Sequence, residues 1–198
     1  CIRGNTDRYI FAGDRPPPTI EEAAEDSSLL LPLVEVAGTM AWTQGALSQT
    51  GHIPWLADLP LEMHAVLQDG TRVLGVHSYP GSDTGLGFRV GERQAHYAQR
   101  LSLCEADLVL AGHHHRQLDV TIGTQRAVNV GSVSMSLDDL QASYAIVDAD
   151  DSGHRVELRR ADYDRDAVID HLQQLRHPGA GYIIRHLRGT QSESPGER

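Results

Sequence analysis

The sequence contains no lysine, and this absence removes several classes of chemistry at once. All 17 basic residues among the 198 are arginine, against 27 acidic residues and a formal net charge of −10. A Walker phosphate loop, a Schiff base and a Ser-x-x-Lys hydrolase each need a lysine and are therefore excluded. The acidic balance also excludes broad nucleic-acid binding, which requires a basic face.

Cysteine and long apolar runs are scarce as well. The 2 cysteines cannot build a disulfide framework or a cysteine-rich zinc module, and such low usage is typical of a reducing compartment. No apolar run reaches the ~18 residues of a membrane span, since Pro32 interrupts the short run over 29–34. Without a recognisable signal peptide, the sequence predicts a cytoplasmic protein with no membrane partner.

The apolar pattern predicts an α/β fold. Thr19 is suited to cap a helix that begins at Ile20, and Cys1–Arg3 is expected to be the end of a strand followed by a loop. Strands with helices outside them indicate a layered sandwich, and hairpins among the strands indicate mixed sheets. The predicted helices cover residues 36–59 in two pieces, 92–103 and 163–175. The predicted strands cover residues 62–67, 72–76, 108–111, 118–122, 125–130, 144–147 and 155–159.

The same pattern suggests how the chain is divided. Residues 1–162 are expected to form the core, and residues 163–188 a helical extension. Residues 189–198 are polar and are expected to be disordered.

Three loops that follow predicted strand ends carry potential metal ligands. They are Gly4-Asn5-Thr6-Asp7, Val76-His77 and Gly112-His113-His114-His115. Ligand sites of α/β sheets lie at such strand ends. In an extended segment His113 and His115 would face one side and His114 the other, and two adjacent imidazoles can serve two metal ions about 3.5–4 Å apart. Each loop alone is a weak signal, but the combination in this order is specific.

These motifs resemble the calcineurin-like metallophosphoesterases, in the branch of small bacterial phosphodiesterases. The last three of the family's five blocks are present in order, as Gly-Asn-x-Asp, the strand-end His77 and Gly-His-x-His. The segment Asn129-Val130-Gly131-Ser132 is similar to the family's Asn-Pro-Gly-Ser stretch, with Val130 in place of proline. The resemblance covers about residues 1–160 and implies a four-layer α/β/β/α sandwich of two mixed sheets.

The resemblance also implies a ligand set for two divalent metal ions. Asn5, His77 and His113 would hold one ion, and His115 would belong to the other. Manganese is the first candidate, and iron, nickel or zinc would also suit these nitrogen and oxygen donors. The implied reaction is hydrolysis of a small phosphodiester by a hydroxide that bridges the two ions.

The first two family blocks, Asp-x-His and a Gly-Asp followed by further polar residues, precede Gly-Asn-x-Asp in the family and are missing here. In the family they supply further ligands, including the aspartate that bridges both ions. The expectation is therefore an N-terminally incomplete domain, whose missing segment is needed to complete the site. An alternative hypothesis also accounts for the missing blocks. In it, the protein is a catalytically inactive scaffold of the same fold that binds protein partners.

A second departure from the family is Thr6, where many members carry a histidine that protonates the leaving group. Threonine cannot do this near neutral pH, so leaving groups that need little help, aryl or phosphoanhydride groups, are preferred. His52, His64 and His114 are the open alternatives, and His114 is also a candidate substrate contact at an exposed rim.

Two further candidates follow the first motif. Asp7 would orient a metal-bound histidine of the missing segment or serve as a capping carboxylate. Arg8 would meet a phosphate oxygen or form a surface ion pair.

Overall fold

The α/β class predicted from the sequence is confirmed by the computed structural model, which describes residues 1–137 and 139–190. The strands are β1 (Glu62–Val66), β2 (Arg72–Val76), β3 (Leu108–Ala111), β4 (Gln117–Ile122), β5 (Gln125–Val130), β6 (Ala142–Asp150) and β7 (Gly153–Ala161). The helices are α1 (Asn5–Ala12), α2 (Ile20–Glu25), α3 (Leu30–Gln49), α4 (Ile53–Ala57), α5 (Gln94–Leu101), α6 (Arg165–Gln174) and α7 (Ala180–Leu187), with a 3₁₀ helix over Ser27–Leu29.

The chain divides into two compact units. The first, called here the sheet unit, combines Cys1–Asn5 with Leu59–Tyr163. The second, called here the helical unit, combines Thr6–Asp58 with the chain from Asp164 onward. The segment 6–58 thus groups with the C-terminal helices and not with the strands. Most of the expected disordered tail, residues 191–198, lies outside the described residues.

The sheet unit contains one five-stranded mixed sheet of order β1-β2-β3-β5-β4. Strands β2, β3 and β5 run parallel in its centre, while β1 and β4 are antiparallel edges. Central parallel strands are buried on both faces, and β2 follows this rule, since Val73, Leu74, Gly75 and Val76 are all buried. The carboxyl ends of the three parallel strands therefore meet along one edge of the sheet.

The two faces of this sheet bury different partners, because successive side chains of a strand alternate between faces. Leu74, Val109 and Ala127 pack on one face against Tyr97 and Leu101 of α5. The opposite face packs against the β6–β7 hairpin in a second apolar cluster that includes Val73, Leu108, Val128 and Val156. The described residues of this unit therefore form three layers, α/β/β.

Two details of the sequence-based fold prediction are wrong. The second sheet, β6 with β7, is purely antiparallel within the described residues. A tight turn at 151–152 joins its strands, so they can pair only in that way. Cys1–Arg3 is also not a strand; a backbone hydrogen bond runs from the Arg3 N–H to the carbonyl of Pro60 (2.8 Å). Helix α1 begins at Asn5, where a loop was expected.

In the helical unit the capping prediction is confirmed and one boundary moves. Thr19 Oγ1 accepts from the Glu22 N–H (3.2 Å), and Glu22 Oε2 accepts in return from the Thr19 N–H (2.7 Å). Helix α3 starts at Leu30, six residues before the predicted start at residue 36. Pro32 is tolerated there because the first-turn N–H groups of a helix have no intrahelical partner.

Helices α3 and α7 are joined by an ion pair between Arg185 and the carboxylate of Glu35. The chain before α7 also lies against α3, with the edge of Trp42 on the His177 ring at 4.6 Å between centroids. No helix within the described residues combines the length and the apolar character that crossing a bilayer requires.

The close approach at Gly179 leads to a first testable prediction. A Cβ at Gly179 would overlap Thr39 Oγ1 and lie 3.0 Å from the Glu35 carbonyl oxygen, both on α3. Because a helix backbone cannot yield to such a contact, Gly179→Ala should lower the free energy of unfolding by about 1–3 kcal/mol. Denaturant unfolding followed by circular dichroism measures the change.

The matched control is Gly45→Ala on the same helix. Nothing lies within 4 Å of a Cβ at Gly45, so alanine should stabilise the helix by up to about 1 kcal/mol. Equal stability changes for the two variants would contradict the packing of α3 described above.

Candidate metal centre

Two histidine-bearing loops follow neighbouring parallel strands at the same edge of the five-stranded sheet. His77 comes directly after β2, and Gly112-His113 comes directly after β3. The Gly112 N–H donates to the carbonyl of His77 (2.9 Å), which ties the two loops together. This edge is where α/β sheets place their ligand sites, as the sequence predicted.

Two of the other predicted ligands, Asn5 and His113, lie beside His77. Its Nε2 lies 2.9 Å from Asn5 Oδ1, and its ring centroid lies 5.2 Å from that of His113. Gly4 leaves the room for this, because a Cβ there would come within 3.1 Å of the imidazole. The Gly-Asn pair thus serves the site twice, with the glycine as clearance and the asparagine as an oxygen donor.

The environment keeps these imidazoles neutral. Burial, followed by the neighbouring His113 and His115, lowers the pKa of His77 to about 4, although Asp83 acts in the opposite direction. Burial and His114 likewise lower the pKa of His113. A neutral imidazole keeps a lone pair on one nitrogen, which is the form that binds a metal ion.

The geometry assumed for the third loop is wrong. His113 and His115 have φ angles of 73° and 56°, in the left-handed region, so the segment is not extended and the two-residue alternation does not apply. His115 is nevertheless close enough to influence the pKa of His77. The assignment of His115 to the second ion stays a prediction.

His114 is half-buried and not at an exposed rim as expected. One of its ring nitrogens, Nε2, is hydrogen-bonded to the carbonyl of Leu86 (2.8 Å), and its ring packs on His113 with 4.8 Å between centroids. These contacts connect the 82–91 loop to the candidate centre, and the substrate contact of His114 stays a prediction.

Asp7 and Arg8 lie on α1, in the part of that helix that groups with the helical unit. Arg8 forms an ion pair with Asp14 and stacks over the Tyr9 ring at 4.9 Å from its centroid. This ion pair is one of the two roles that the sequence left open for Arg8, the other being a contact with a phosphate oxygen. The orienting role of Asp7 stays a prediction.

Two residues beyond the predicted set support the centre. Asn129 is completely buried, and its amide donates to the carbonyls of Phe88 (2.9 Å) and Gly112 (2.6 Å). Its Oδ1 accepts from the Gly131 N–H (3.0 Å). The Asn-Val-Gly-Ser motif was the signal for this residue, but its positioning role depends on contacts remote in sequence.

The second residue, Asp83, is also buried, although nothing in its local sequence distinguishes it. Its Oδ2 lies 3.3 Å from Nε of Arg3. Its charge favours the protonated forms of His77 and His113, which shows that it lies near both rings.

The residues present fit part of a divalent metal site. An amide oxygen and imidazole nitrogens converge, and this mixed donor set suits manganese, iron, nickel or zinc. No group of three or more His, Cys, Asp or Glu side chains in residues 1–137 and 139–190 is arranged to hold a metal ion. The donors identified here are therefore part of a set and not a complete cage.

The clearance at Gly4 can be tested directly. Gly4→Ala should weaken Mn²⁺ binding about tenfold, because the added methyl group presses on the His77 ring and displaces its donor nitrogen. Isothermal titration measures the affinity. In the control Gly112→Ala, the added Cβ would contact the same ring at an ordinary 3.8 Å, and affinity near that of the wild type is expected. Equal losses in both variants would contradict the role of Gly4.

Comparison with known proteins identifies the family and supports the fold. The family model for the calcineurin-like phosphoesterase superfamily domain matches residues 2–152. The fold is similar to that of hypothetical protein PH1004 from Pyrococcus horikoshii OT3, with a TM-score of 0.73, 21% identity, and coverage of 94% of this chain and 71% of that one. It is also similar to a metallophosphoesterase from Sphaerobacter thermophilus, with a TM-score of 0.68, 19% identity, and coverage of 96% and 76%. No curated protein matches the chain.

Proposed function

The chain belongs to the calcineurin-like phosphoesterase superfamily, and from this premise we propose that it hydrolyses small phosphodiesters with the help of two divalent metal ions. Family membership indicates metal-dependent phosphoester hydrolysis in general. The observation that carries the finer proposal is the convergence of Asn5 Oδ1, His77 Nε2 and the His113 ring at the carboxyl edge of the sheet.

In this proposal Asn5, His77 and His113 hold one ion, and His115 contributes to the other. A bound pair of ions would supply Lewis acidity toward the phosphoryl oxygens and would activate water at neutral pH. Manganese is the first candidate, with iron, nickel and zinc as the others. The remaining ligands, Asp-x-His and Gly-Asp in the family pattern, come in this proposal from a segment outside these 198 residues.

The chain's own residues prepare the site for such ions. Burial keeps His77 and His113 unprotonated, so no proton must leave these rings before a metal binds at neutral pH. Asn129 holds Gly112, the residue before His113, by a hydrogen bond to its carbonyl. Thr6 supplies no acid for the leaving group, so the proposed substrates are esters with aryl or phosphoanhydride leaving groups. The proposed compartment is the cytoplasm.

A second candidate function is a scaffold of the same fold that binds protein partners without catalysis. One observation favours this scaffold: the described residues contain no group of three or more His, Cys, Asp or Glu side chains placed to hold a metal. Against it, the histidines and Asn5 retain the donor atoms that a scaffold does not need.

Metal content and hydrolysis together distinguish the two functions. The full-length protein is dialysed against trace Mn²⁺, its metal is measured by mass spectrometry, and hydrolysis of methyl p-nitrophenyl phosphate is followed at 400 nm. About two metals per chain with hydrolysis supports the phosphodiesterase. About two metals without hydrolysis contradicts it, and one metal or none without hydrolysis favours the scaffold.

A further inference from the structure

A cavity of about 390 Å³ opens beside the candidate metal centre, between α5 and the loop that follows His77. Its lining includes Tyr79, Leu86, His96, Gln99, Arg100 and Leu103. Tyr79 lies two residues after His77, and the carbonyl of Leu86 is hydrogen-bonded to His114 at 2.8 Å. These two links connect the cavity lining to the histidine-bearing loops of the candidate centre.

Part of the lining is apolar and open to solvent. Leu86 and Leu103 are 58% and 61% exposed, and Tyr79 adds an aromatic side chain to the lining. Large apolar side chains exposed in a concave surface mark ligand sites more often than those scattered singly. The volume lies at the small end of the range for small-molecule sites, which is sufficient for one compact ring system.

The other part of the lining is polar and rigidly held. The carboxylate of Glu92 is 7% exposed and accepts hydrogen bonds from Arg89 Nε (2.8 Å) and Arg100 Nη2 (2.9 Å). Burial would raise the pKa of Glu92, but the hydrogen bonds from Arg100 and Arg89 outweigh it and hold that pKa below its ordinary value. Two guanidinium groups and one carboxylate give this wall a net positive charge in an otherwise acidic chain.

Side chains of α5 extend this polar wall. His96, Gln99 and Arg100 all line the cavity, and their spacing places them on one face of the helix. The exposed amide of Gln99 offers a donor and an acceptor side by side, whereas the Arg100–Glu92 pair is satisfied within the wall. The cavity thus combines flat apolar contacts with paired donors and acceptors at its edge.

We propose that this cavity binds the nucleoside part of a nucleotide phosphodiester, an inference that rests on the proposed function. A nucleobase has apolar faces for Tyr79, Leu86 and Leu103, and a donor–acceptor edge for the amide of Gln99. The positive wall attracts the anionic phosphate that accompanies the nucleoside.

Two other ligand classes fit less well. A purely apolar aryl or alkyl group would cover the amide of Gln99 without offering it hydrogen-bond partners, which costs free energy. A sugar without a base would leave Leu86 and Leu103 exposed and would gain nothing from the apolar wall. Only a ligand with both kinds of surface uses the whole lining.

The test compares two esters with the same leaving group. Thymidine 5′-(p-nitrophenyl phosphate) and methyl p-nitrophenyl phosphate both release p-nitrophenolate, and they differ only in the group that stays on phosphorus. With the Mn²⁺-loaded full-length protein, the thymidine ester should have a kcat/KM at least about tenfold higher, because the apolar and hydrogen-bond contacts to the base favour that ester. Equal values for the two esters would overturn the inference.

A cavity-filling variant locates the effect. Leu103→Trp should lower the ratio of the two kcat/KM values about tenfold by occupying the space of the base. The control Leu175→Trp changes a leucine that is 45% exposed on the helical unit and should leave the ratio at its wild-type value. Loss of the ratio in both variants, or in neither, would contradict the assignment of the cavity.

A binding measurement separates this inference from the proposed function. If neither ester is hydrolysed, the phosphodiesterase proposal fails, and saturation-transfer NMR with thymidine 5′-monophosphate and with methyl phosphate decides about the cavity. Signals from the thymine ring that Leu103→Trp abolishes and Leu175→Trp retains would support the cavity. No thymine signal in the wild type would overturn it.

Discussion

Replacement of His77 by alanine is expected to lower kcat/KM for methyl p-nitrophenyl phosphate about 10³-fold. The side chain stands between Asn5 and His113, so its removal takes away a donor from the middle of the proposed first metal site. Loss of an ion worth several kcal/mol of transition-state stabilisation corresponds to a loss of this size at about 1.4 kcal/mol per factor of ten. Steady-state kinetics and metal analysis on the same Mn²⁺-loaded preparation measure both effects.

The control for this variant is His171→Ala, an exposed histidine on α6, which should keep both metal and activity. Because His77 is half-buried, thermal unfolding must show that His77→Ala still folds. His113→Ala provides an independent second variant with the same expected loss. A folded His77→Ala protein with wild-type metal content and activity would remove His77 from the site and contradict the proposed function.

Replacement of Asn129 by alanine is expected to lower the free energy of unfolding by about 3 kcal/mol. The variant leaves the carbonyls of Phe88 and Gly112 and the Gly131 N–H without their partner in a completely buried position. Each unsatisfied buried group costs about 1–3 kcal/mol. For a chain of this size the melting temperature should fall by about 6–12 °C, as differential scanning calorimetry would measure.

Asn129→Ala should also lower metal affinity by about tenfold, because Gly112 directly precedes His113 and loses its anchor. Gln94→Ala, an exposed amide at the start of α5, is the matched control and should change neither property. A stability loss below about 1 kcal/mol would show that water replaces the three hydrogen bonds and that Asn129 is not a structural anchor.

The local sequence pattern was sufficient to predict most of the helices and strands of this fold. The run Leu108–Ala111 is predicted to be a buried strand, because an uninterrupted short apolar run has no polar side to turn toward water. The structure has strand β3 at these residues. The helix over 20–25 followed from its capping threonine. The prediction of a strand end at Cys1–Arg3 was wrong, because a strand is defined by its hydrogen-bonded neighbour and the local sequence does not identify one.

The sequence by itself determined the type of chemistry. Asn5, His77, His113 and His115 supply donor atoms that suit metal ions, in loops that local pattern places at strand ends. Their order along the chain resembles that of the calcineurin-like phosphoesterases, and the family model matches residues 2–152. The absence of lysine excluded the classes of chemistry that need one. None of this required knowledge of which strands are neighbours.

Only the tertiary structure decided how these residues act together. The 2.9 Å approach of Asn5 to His77, across 72 positions of sequence, the left-handed turns at His113 and His115 and the anchoring by Asn129 depend on the pairing of β2, β3 and β5. The walls of the cavity come from α5, which packs on the sheet, and from the loop that follows His77, so the cavity also depends on this packing. Local sequence encodes donor atoms and turn preferences, whereas distances between remote donors are set by the packing of the whole sheet.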